Sequence, residues 1–115
     1  MEGIGMPTYN KLVRDHIPTI IEQSGKTFKT RVLQREEYQT ELMKKAKEEF
    51  QEYSEAKNHE DSIEELADLL EVMYALAAIH GATPEQLEQV RHKKAEKRGG
   101  FEERIYLIEV EDEQS

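Results

Sequence analysis

The stretch that decides the fold is residues 38–79, which read YQTELMKKAKEEFQEYSEAKNHEDSIEELADLLEVMYALAAI. At about 100° per residue, its first half places apolar side chains on one arc of a helix, and Glu49 lies inside that arc. A carboxylate that turns towards the interior is costly unless something compensates for it. In the second half, Glu65 and Asp68 share a helical face that becomes apolar further along the chain. Since a solvated face has no reason to change in this way, the two halves predict helices that bring acids together at their interface.

These two helices are predicted to form an antiparallel hairpin that folds back near residues 59–60. Counted from that turn, Glu52 and Glu65 lie seven and six residues away, and Glu49 and Asp68 lie ten and nine. Because a helix rises about 1.5 Å per residue, the four carboxylates are expected to come level within about one turn. Four acids this close cannot all ionise unaided, and oxygen-rich clusters bind hard cations such as Mg²⁺ or Mn²⁺. The hairpin is therefore predicted to carry a metal site.

Length and composition exclude several classes of protein. One domain, residues 1–115, is expected from a chain of this length. The net charge of −9 argues against a nucleic-acid polymer or an anionic membrane as partner, but not against a small phosphate ligand held through a metal. The chain has no cysteine, which excludes disulfides and thiolate sites, and residues 1–5 contain no apolar signal core. The longest apolar run, 72–79, is too short to span a bilayer, so a soluble cytoplasmic protein is expected.

Capping residues set the expected ends of the first helices. Asp15 is predicted to cap a short helix that runs to about Ser24 and stops at Gly25. The first long helix is expected over residues 35–57. The second is expected to begin at a cap on Asp61 or Ser62 and to stop at Gly81.

The rest of the chain predicts one more helix and two strands. A Thr83 cap followed by proline predicts a helix over residues 84–98. Residues 28–33 and 104–110 read as strands, and since an isolated strand is not stable, they are expected to pair as a small two-stranded β ribbon. The predicted fold is thus an all-α helical bundle with this ribbon attached.

Three segments resemble one protein family. Residues 48–52, EEFQE, and 65–68, ELAD, resemble the EExxE and ExxD signature of the MazG-like and phosphoribosyl-ATP pyrophosphohydrolase-like all-α nucleotide pyrophosphatases. Residues 9–15, YNKLVRD, resemble the opening of a small single-domain branch of that group, and residues 97–101, KRGGF, resemble its closing segment. The resemblance covers most of the chain. It implies Mg²⁺-dependent hydrolysis of a nucleoside triphosphate between the α and β phosphates, giving a nucleoside monophosphate and pyrophosphate.

The resemblance also implies roles for individual residues. Glu48 is expected to orient water or a group behind the metal ligands, and Lys94 and Arg98 resemble the basic pair that contacts the phosphate tail. Lys11 and Arg14 are candidates for further phosphate contacts. The chain departs from the family pattern in two places: the gap between the acidic motifs is short, and Gly-Gly-Phe follows the arginine where many relatives place an aromatic residue. The residues that match the family's metal ligands are Glu49, Glu52, Glu65 and Asp68.

Most of these candidates also have an ordinary structural explanation. Glu49 is open to an ion pair with Lys45, and a capping box starting at Ser62 would explain Glu65 but not Asp68. Glu48 is equally well explained as a surface acid. The basic pair on the last helix would complement its dipole, and the basic residues near the N-terminus would form surface ion pairs with the acid-rich body.

Two other classes of function compete with the enzyme. A non-catalytic acidic helical adaptor or oligomerisation module would use the carboxylates as a solvated face, which the position of Glu49 opposes. A ferritin-like di-iron protein requires Glu-x-x-His on two helices, and the sequence contains no such pattern. The nearly all-round apolar segment 69–79 predicts a homodimer or higher homo-oligomer, because its burial exceeds what one small chain supplies.

Overall fold

The computed structural model describes residues 7–112, and the helices found there confirm the all-α prediction. Residues 1–5, the segment without a signal core, lie outside this range. The helices are α1 (Ile17–Gln23), α2 (Arg35–Glu55), α3 (His59–Ile79) and α4 (Pro84–Arg98).

The antiparallel pair α2 and α3 is the centre of the molecule. Leu42 from α2 and Val72 from α3 are its buried apolar residues. At the open end of the hairpin, the Arg35 guanidinium donates a hydrogen bond of 2.7 Å to the carbonyl of Ile79. A cation at this position satisfies a carbonyl that the end of α3 leaves free, so it fastens the start of α2 to the end of α3.

The turn of the hairpin differs from the sequence prediction. Neither Asp61 nor Ser62 caps α3; the cap is Asn58, whose side-chain oxygen accepts a hydrogen bond of 2.8 Å from the Asp61 backbone. α2 ends at Glu55, two residues earlier than predicted, because Ala56 is already extended. Asparagine is among the best helix caps, and here it begins α3 before the predicted start.

The outer helices agree more closely with the sequence. α4 has the predicted bounds, and Thr83 forms the predicted capping box with Gln86. Gly25 follows α1 with φ of +83°, a conformation that glycine adopts freely. The predicted Asp15 cap is wrong, since the N-cap is His16 and its side chain makes no capping hydrogen bond.

The predicted β ribbon is also wrong. No strand is present among residues 7–112, and no backbone hydrogen bond there joins 28–33 to 104–110. Neither segment is helical, and the large apolar side chains of 105–110 are 71–88% exposed. Strand propensity needs an edge to pair with and a surface to cover, and the rest of residues 7–112 supplies neither.

The molecule is open rather than compact. Its radius of gyration is 20.2 Å and its extents are 78 × 35 × 27 Å, whereas a compact chain of this length has a radius of gyration of about 13 Å. Among the described residues, no single helix is long and apolar enough to cross a membrane. The joined helices α3 and α4 meet those criteria only as a pair bent by 103°.

Candidate metal centre

Three carboxylates meet where α2 faces α3. Glu49, Glu65 and Asp68 each offer an oxygen within 4.8 Å of the others. We call these three residues the acid cluster. Glu52, the fourth residue of the predicted set, is exposed and lies outside the cluster, but it is near enough to Glu65 to help raise the pKa of that carboxyl.

The register of the hairpin explains this grouping. The chain turns through residues 56–58, so the turn centres on residue 57 rather than on 59–60. Glu49 and Glu65 are then each eight residues from the turn, whereas Glu52 is only five residues from it. The early turn therefore sets Glu65 opposite Glu49, and Asp68 joins them from the next turn of α3.

The acid cluster is electrostatically strained. Glu49 is 7% exposed, as its place in the apolar arc predicted. Burial, together with repulsion from Glu52, raises its pKa. Hydrogen bonding to Glu52, burial and repulsion from Glu52 and Glu49 raise the pKa of Glu65 to about 7. Each of these shifts means that the ionised form lacks sufficient compensation.

Two buried oxygens in the acid cluster have no partner. Within residues 7–112, Glu49 Oε2 and Glu65 Oε2 are both buried without a hydrogen bond. Lys45 does form the ion pair with Glu49 expected as an alternative, but it reaches only Oε1, at 3.7 Å. An unpartnered buried carboxylate oxygen is costly, and a hard divalent cation is a partner that would satisfy several at once. The residues present therefore fit a hard divalent cation.

The capping explanation of Glu65 does not hold. Ser62 is inside α3, and its hydroxyl donates to the carbonyl of Asn58 instead of capping the helix. Since Glu65 is therefore not part of a capping box, its position facing Glu49 needs another reason.

Two cations near the N-terminus are paired with acids on the hairpin. Lys11 Nζ lies 2.7 Å from Glu48 Oε1, and a guanidinium nitrogen of Arg14 lies 2.7 Å from Asp68 Oδ1. The surface ion pairing weighed for both residues is thus confirmed. Hydrogen bonding to Lys11 lowers the pKa of Glu48, which lies outside the acid cluster but next to it in sequence. The sequence did not indicate that Arg14 would contact a member of the cluster.

The basic pair on α4 is not assembled with the acids. Lys94 and Arg98 are exposed and form no ion pair within residues 7–112. The chain direction changes by 103° between α3 and α4, so α4 is roughly perpendicular to the hairpin instead of packing along it. From the helical rise, Lys94 lies roughly 20 Å from Asp68, too far for its side chain to reach. A shallow depression of about 440 Å³ on α4, lined by Glu88, Gln89, His92, Lys93 and Glu96, is likewise separate from the acids.

Comparison with known proteins gives one family. The family model described as phosphoribosyl-ATP pyrophosphohydrolase matches residues 13–95, which is more than half of the chain and includes the whole acid cluster. No curated protein and no solved structure matches significantly.

Proposed function

The chain belongs to the phosphoribosyl-ATP pyrophosphohydrolase family, and from that premise we propose that it is a Mg²⁺-dependent nucleotide pyrophosphohydrolase. It cleaves a nucleoside triphosphate, or a related nucleotide, between the α and β phosphates and releases a nucleoside monophosphate and pyrophosphate. Mn²⁺ would serve as an alternative cation. The observation that carries the proposal is the acid cluster, in which two buried carboxylate oxygens have no hydrogen-bond partner within residues 7–112.

The acid cluster would hold the metal, with Glu52 completing the ligands next to Glu65. When bound, the cation neutralises phosphate charge and lowers the pKa of a coordinated water. Ionised carboxylates bind metal, so Glu65 must lose its proton first, and its raised pKa makes that loss occur near neutral pH. Glu49 is buried, so its side chain has little freedom to move, and it fixes the position of the site on α2.

Glu48 is proposed to orient the attacking water. It is adjacent to Glu49 in sequence but outside the acid cluster, and its pairing with Lys11 lowers its pKa. It is therefore a carboxylate at neutral pH and accepts hydrogen bonds without protonation. Water attacks the α phosphorus, the bond from this phosphorus to the bridging oxygen breaks, and pyrophosphate leaves while the proton of the water passes to solvent.

The basic pair on α4 is proposed to stabilise the leaving pyrophosphate. Since Lys94 and Arg98 lie far from the acids of their own chain, they would serve the acid cluster of a second copy. Arginine and lysine suit this role because they supply charge and donors to phosphate oxygens. Lys11 and Arg14, on the segment that crosses the acids, are proposed as further phosphate contacts.

The exposed surface supports assembly with a second copy. The accessible area is 11158 Å², whereas a compact monomer of 13.4 kDa exposes about 6,500 Å². The excess per chain is larger than the area that each partner of an obligate dimer buries, about 1,000 Å² or more. Three apolar residues on α3, Leu66, Leu70 and Met73, are 41–43% exposed and supply one continuous face for that contact.

The decisive assay is pyrophosphate release from a panel of canonical nucleoside triphosphates, modified nucleotides and phosphoribosyl-ATP. Activity is expected with Mg²⁺ and is expected to disappear with a chelator. Turnover of one member of the panel would identify the base and sugar preferred. Absence of turnover on every member, combined with absence of metal binding, would contradict the proposal and favour the acidic adaptor.

A further inference from the structure

The segment before α1 lies across the acidic face of the hairpin. We call residues 9–15 the N-terminal strap. Asn10 has φ of +47°, a left-handed conformation that asparagine tolerates, and this bend precedes the first anchoring residue. Lys11 then binds Glu48 on α2, and Arg14 binds Asp68 on α3, each at 2.7 Å. The strap therefore contacts both helices of the hairpin.

The two anchors differ in what they bind. Asp68 belongs to the acid cluster, whereas Glu48 does not. Arg14 therefore uses Asp68 Oδ1, an oxygen of a proposed metal ligand, and Lys11 uses none. Both anchors are partly solvent-exposed, with the Arg14 and Asp68 side chains 54% and 43% exposed. An ion pair this exposed is weak, so a divalent cation can replace it.

The strap supplies two of the cations that form ion pairs with the acid cluster or with Glu48. Within residues 7–112, the cations paired with the acid cluster or with Glu48 are Lys11, Arg14 and Lys45. Of these, Lys45 is on α2 itself and stays beside Glu49 whatever the strap does. Loss of the Arg14 contact would leave Asp68 without an ion-pair partner in the described chain.

We propose that Arg14 is an internal counter-ion of the metal centre, which holds Asp68 in the metal-free protein and leaves it when a divalent cation binds. The inference rests on the proposed function, because it takes the acid cluster to be the metal site. The released guanidinium lies beside the loaded site, where it is a donor for a phosphate oxygen of the nucleotide. Lys11 keeps its ion pair with Glu48, which holds the strap in place, and the other hydrogens of its ammonium group are left for a phosphate oxygen. Arg14 thus positions substrate only after the metal is in place.

The first test follows the guanidinium directly. The side-chain N–H signals of the arginines are recorded by NMR in the full-length protein while Mg²⁺ is added, and the Arg14 signal is identified with Arg14→Lys. The Arg14 signal is expected to change saturably, with the same midpoint as Mg²⁺ binding measured by calorimetry. Arg31 is the matched control, because it forms an exposed ion pair with Glu37 at 2.6 Å and is outside the acid cluster. Its signal is expected to stay constant.

The second test compares two variants that each remove one positive charge from the strap. Arg14→Gln is expected to bind Mn²⁺ about two- to fivefold more tightly than the wild type, since the competing cation is gone. Lys11→Gln removes the same charge but frees no ligand of the cluster, so its effect is expected to be smaller. Arg14→Lys is expected to restore wild-type affinity in part.

The outcomes separate this inference from the proposed function. If Mg²⁺ binds and the Arg14 signal does not move, or if the two glutamine variants gain affinity equally, the counter-ion role is wrong and the metal site stands. If Mg²⁺ does not bind the wild-type protein at all, the proposed function fails and the inference fails with it.

Discussion

At the scale of single residues, the buried carboxylate of Glu49 matters most, because it affects both the stability of the fold and the proposed metal site. Glu49 is in the apolar arc of α2, it is buried there, and one of its oxygens has no partner within residues 7–112. Such a residue destabilises the metal-free fold, since burial disfavours its charge. A buried carboxylate that destabilises the fold indicates a functional role rather than a stabilising one.

Glu49→Gln is predicted to separate these two effects. The substitution keeps the shape and removes the buried charge, so the metal-free variant is expected to have a higher melting temperature than the wild type. Its Mn²⁺ affinity is expected to fall by about tenfold or more, because changes to the surroundings of a metal site usually reduce affinity by that much. Calorimetry and thermal melting measure both. Glu41→Gln, on the same helix but paired with Lys44 away from the cluster, is the control and should leave metal affinity unchanged.

Glu65 predicts the pH dependence. Its pKa is raised to about 7 in the folded protein, whereas an unfolded glutamate titrates near 4.3. Between these values the folded state binds more protons than the unfolded state, so the free energy of unfolding should decrease as pH rises from about 4.5 to 7. Urea unfolding of metal-free protein across this range measures the decrease. Glu65→Gln should reduce it and leave only the part that comes from the raised pKa of Glu49.

Two conditions check the assignment to Glu65. Glu64→Gln removes the same charge from the neighbouring, exposed position and should keep the wild-type trend. The pKa values of Glu48 and Glu37 are lowered, so these two groups change the free energy of unfolding only below about pH 4.5, outside the range from about 4.5 to 7. Saturating Mg²⁺ should reverse the slope, because the metal binds the deprotonated form. A wild-type slope that survives in Glu65→Gln would assign the raised pKa to another group.

At the scale of elements, the hairpin turn sets which acids meet. Asn58 holds this turn through two hydrogen bonds to Asp61, one to its backbone and one to its side chain. Asn58→Ala is predicted to lower the free energy of unfolding by about 1 kcal/mol, the usual cost of losing a helix cap. Asn58→Ser, which retains a capping oxygen, should lose much less. Urea unfolding at pH 7 makes the comparison; equal losses in the two variants would show that the cap does not hold the turn.

The sequence predicted the elements whose causes are local. α4 has the expected bounds because Pro84 and the Thr83 capping box act within a few residues of it. The turn was placed too late because Asn58, Asp61 and Ser62 are all good caps, and packing of the hairpin decides among them. The ribbon of 28–33 and 104–110 was wrong because pairing depends on a distant edge, which propensity alone does not reveal.

The same distinction between local and distant causes applies to the candidate site. Helical periodicity was enough to turn Glu49 inward and to put Glu65 and Asp68 on one face. The place of Glu52 beside the acid cluster rather than in it followed from the shifted turn. Arg14 reaches Asp68 across 54 residues of sequence, and no local pattern encodes a contact of that range.

At the largest scale, a second copy of the chain would explain both the open shape and the distance between the acid cluster and the basic pair on α4. Nineteen large apolar residues of the described chain are exposed, while Leu42 and Val72 are its buried apolar core. A second copy that covers the exposed α3 face would also be able to bring its own α4 to the acids. The wild-type protein is accordingly expected to sediment as at least twice the chain mass of 13.4 kDa. Leu70→Glu should shift this equilibrium towards monomer, and Gln89→Glu, on the polar surface of α4, should not.

Complementation between inactive chains would prove that the site is shared. Glu49→Gln removes an acid of the cluster and Arg98→Ala removes the basic residue on α4, so each variant alone is expected to lose activity. If the two groups come from different copies, a mixed dimer contains one intact site, and an equimolar refolded mixture should recover about a quarter of wild-type turnover. Glu49→Gln mixed with Asp68→Asn is the matched control, because both residues belong to the acid cluster of one chain, and it should recover nothing. Pyrophosphate release measures both mixtures. If the first mixture also stays inactive while sedimentation shows mixed dimers, Arg98 serves the acids of its own chain and α4 must swing towards the hairpin to reach them.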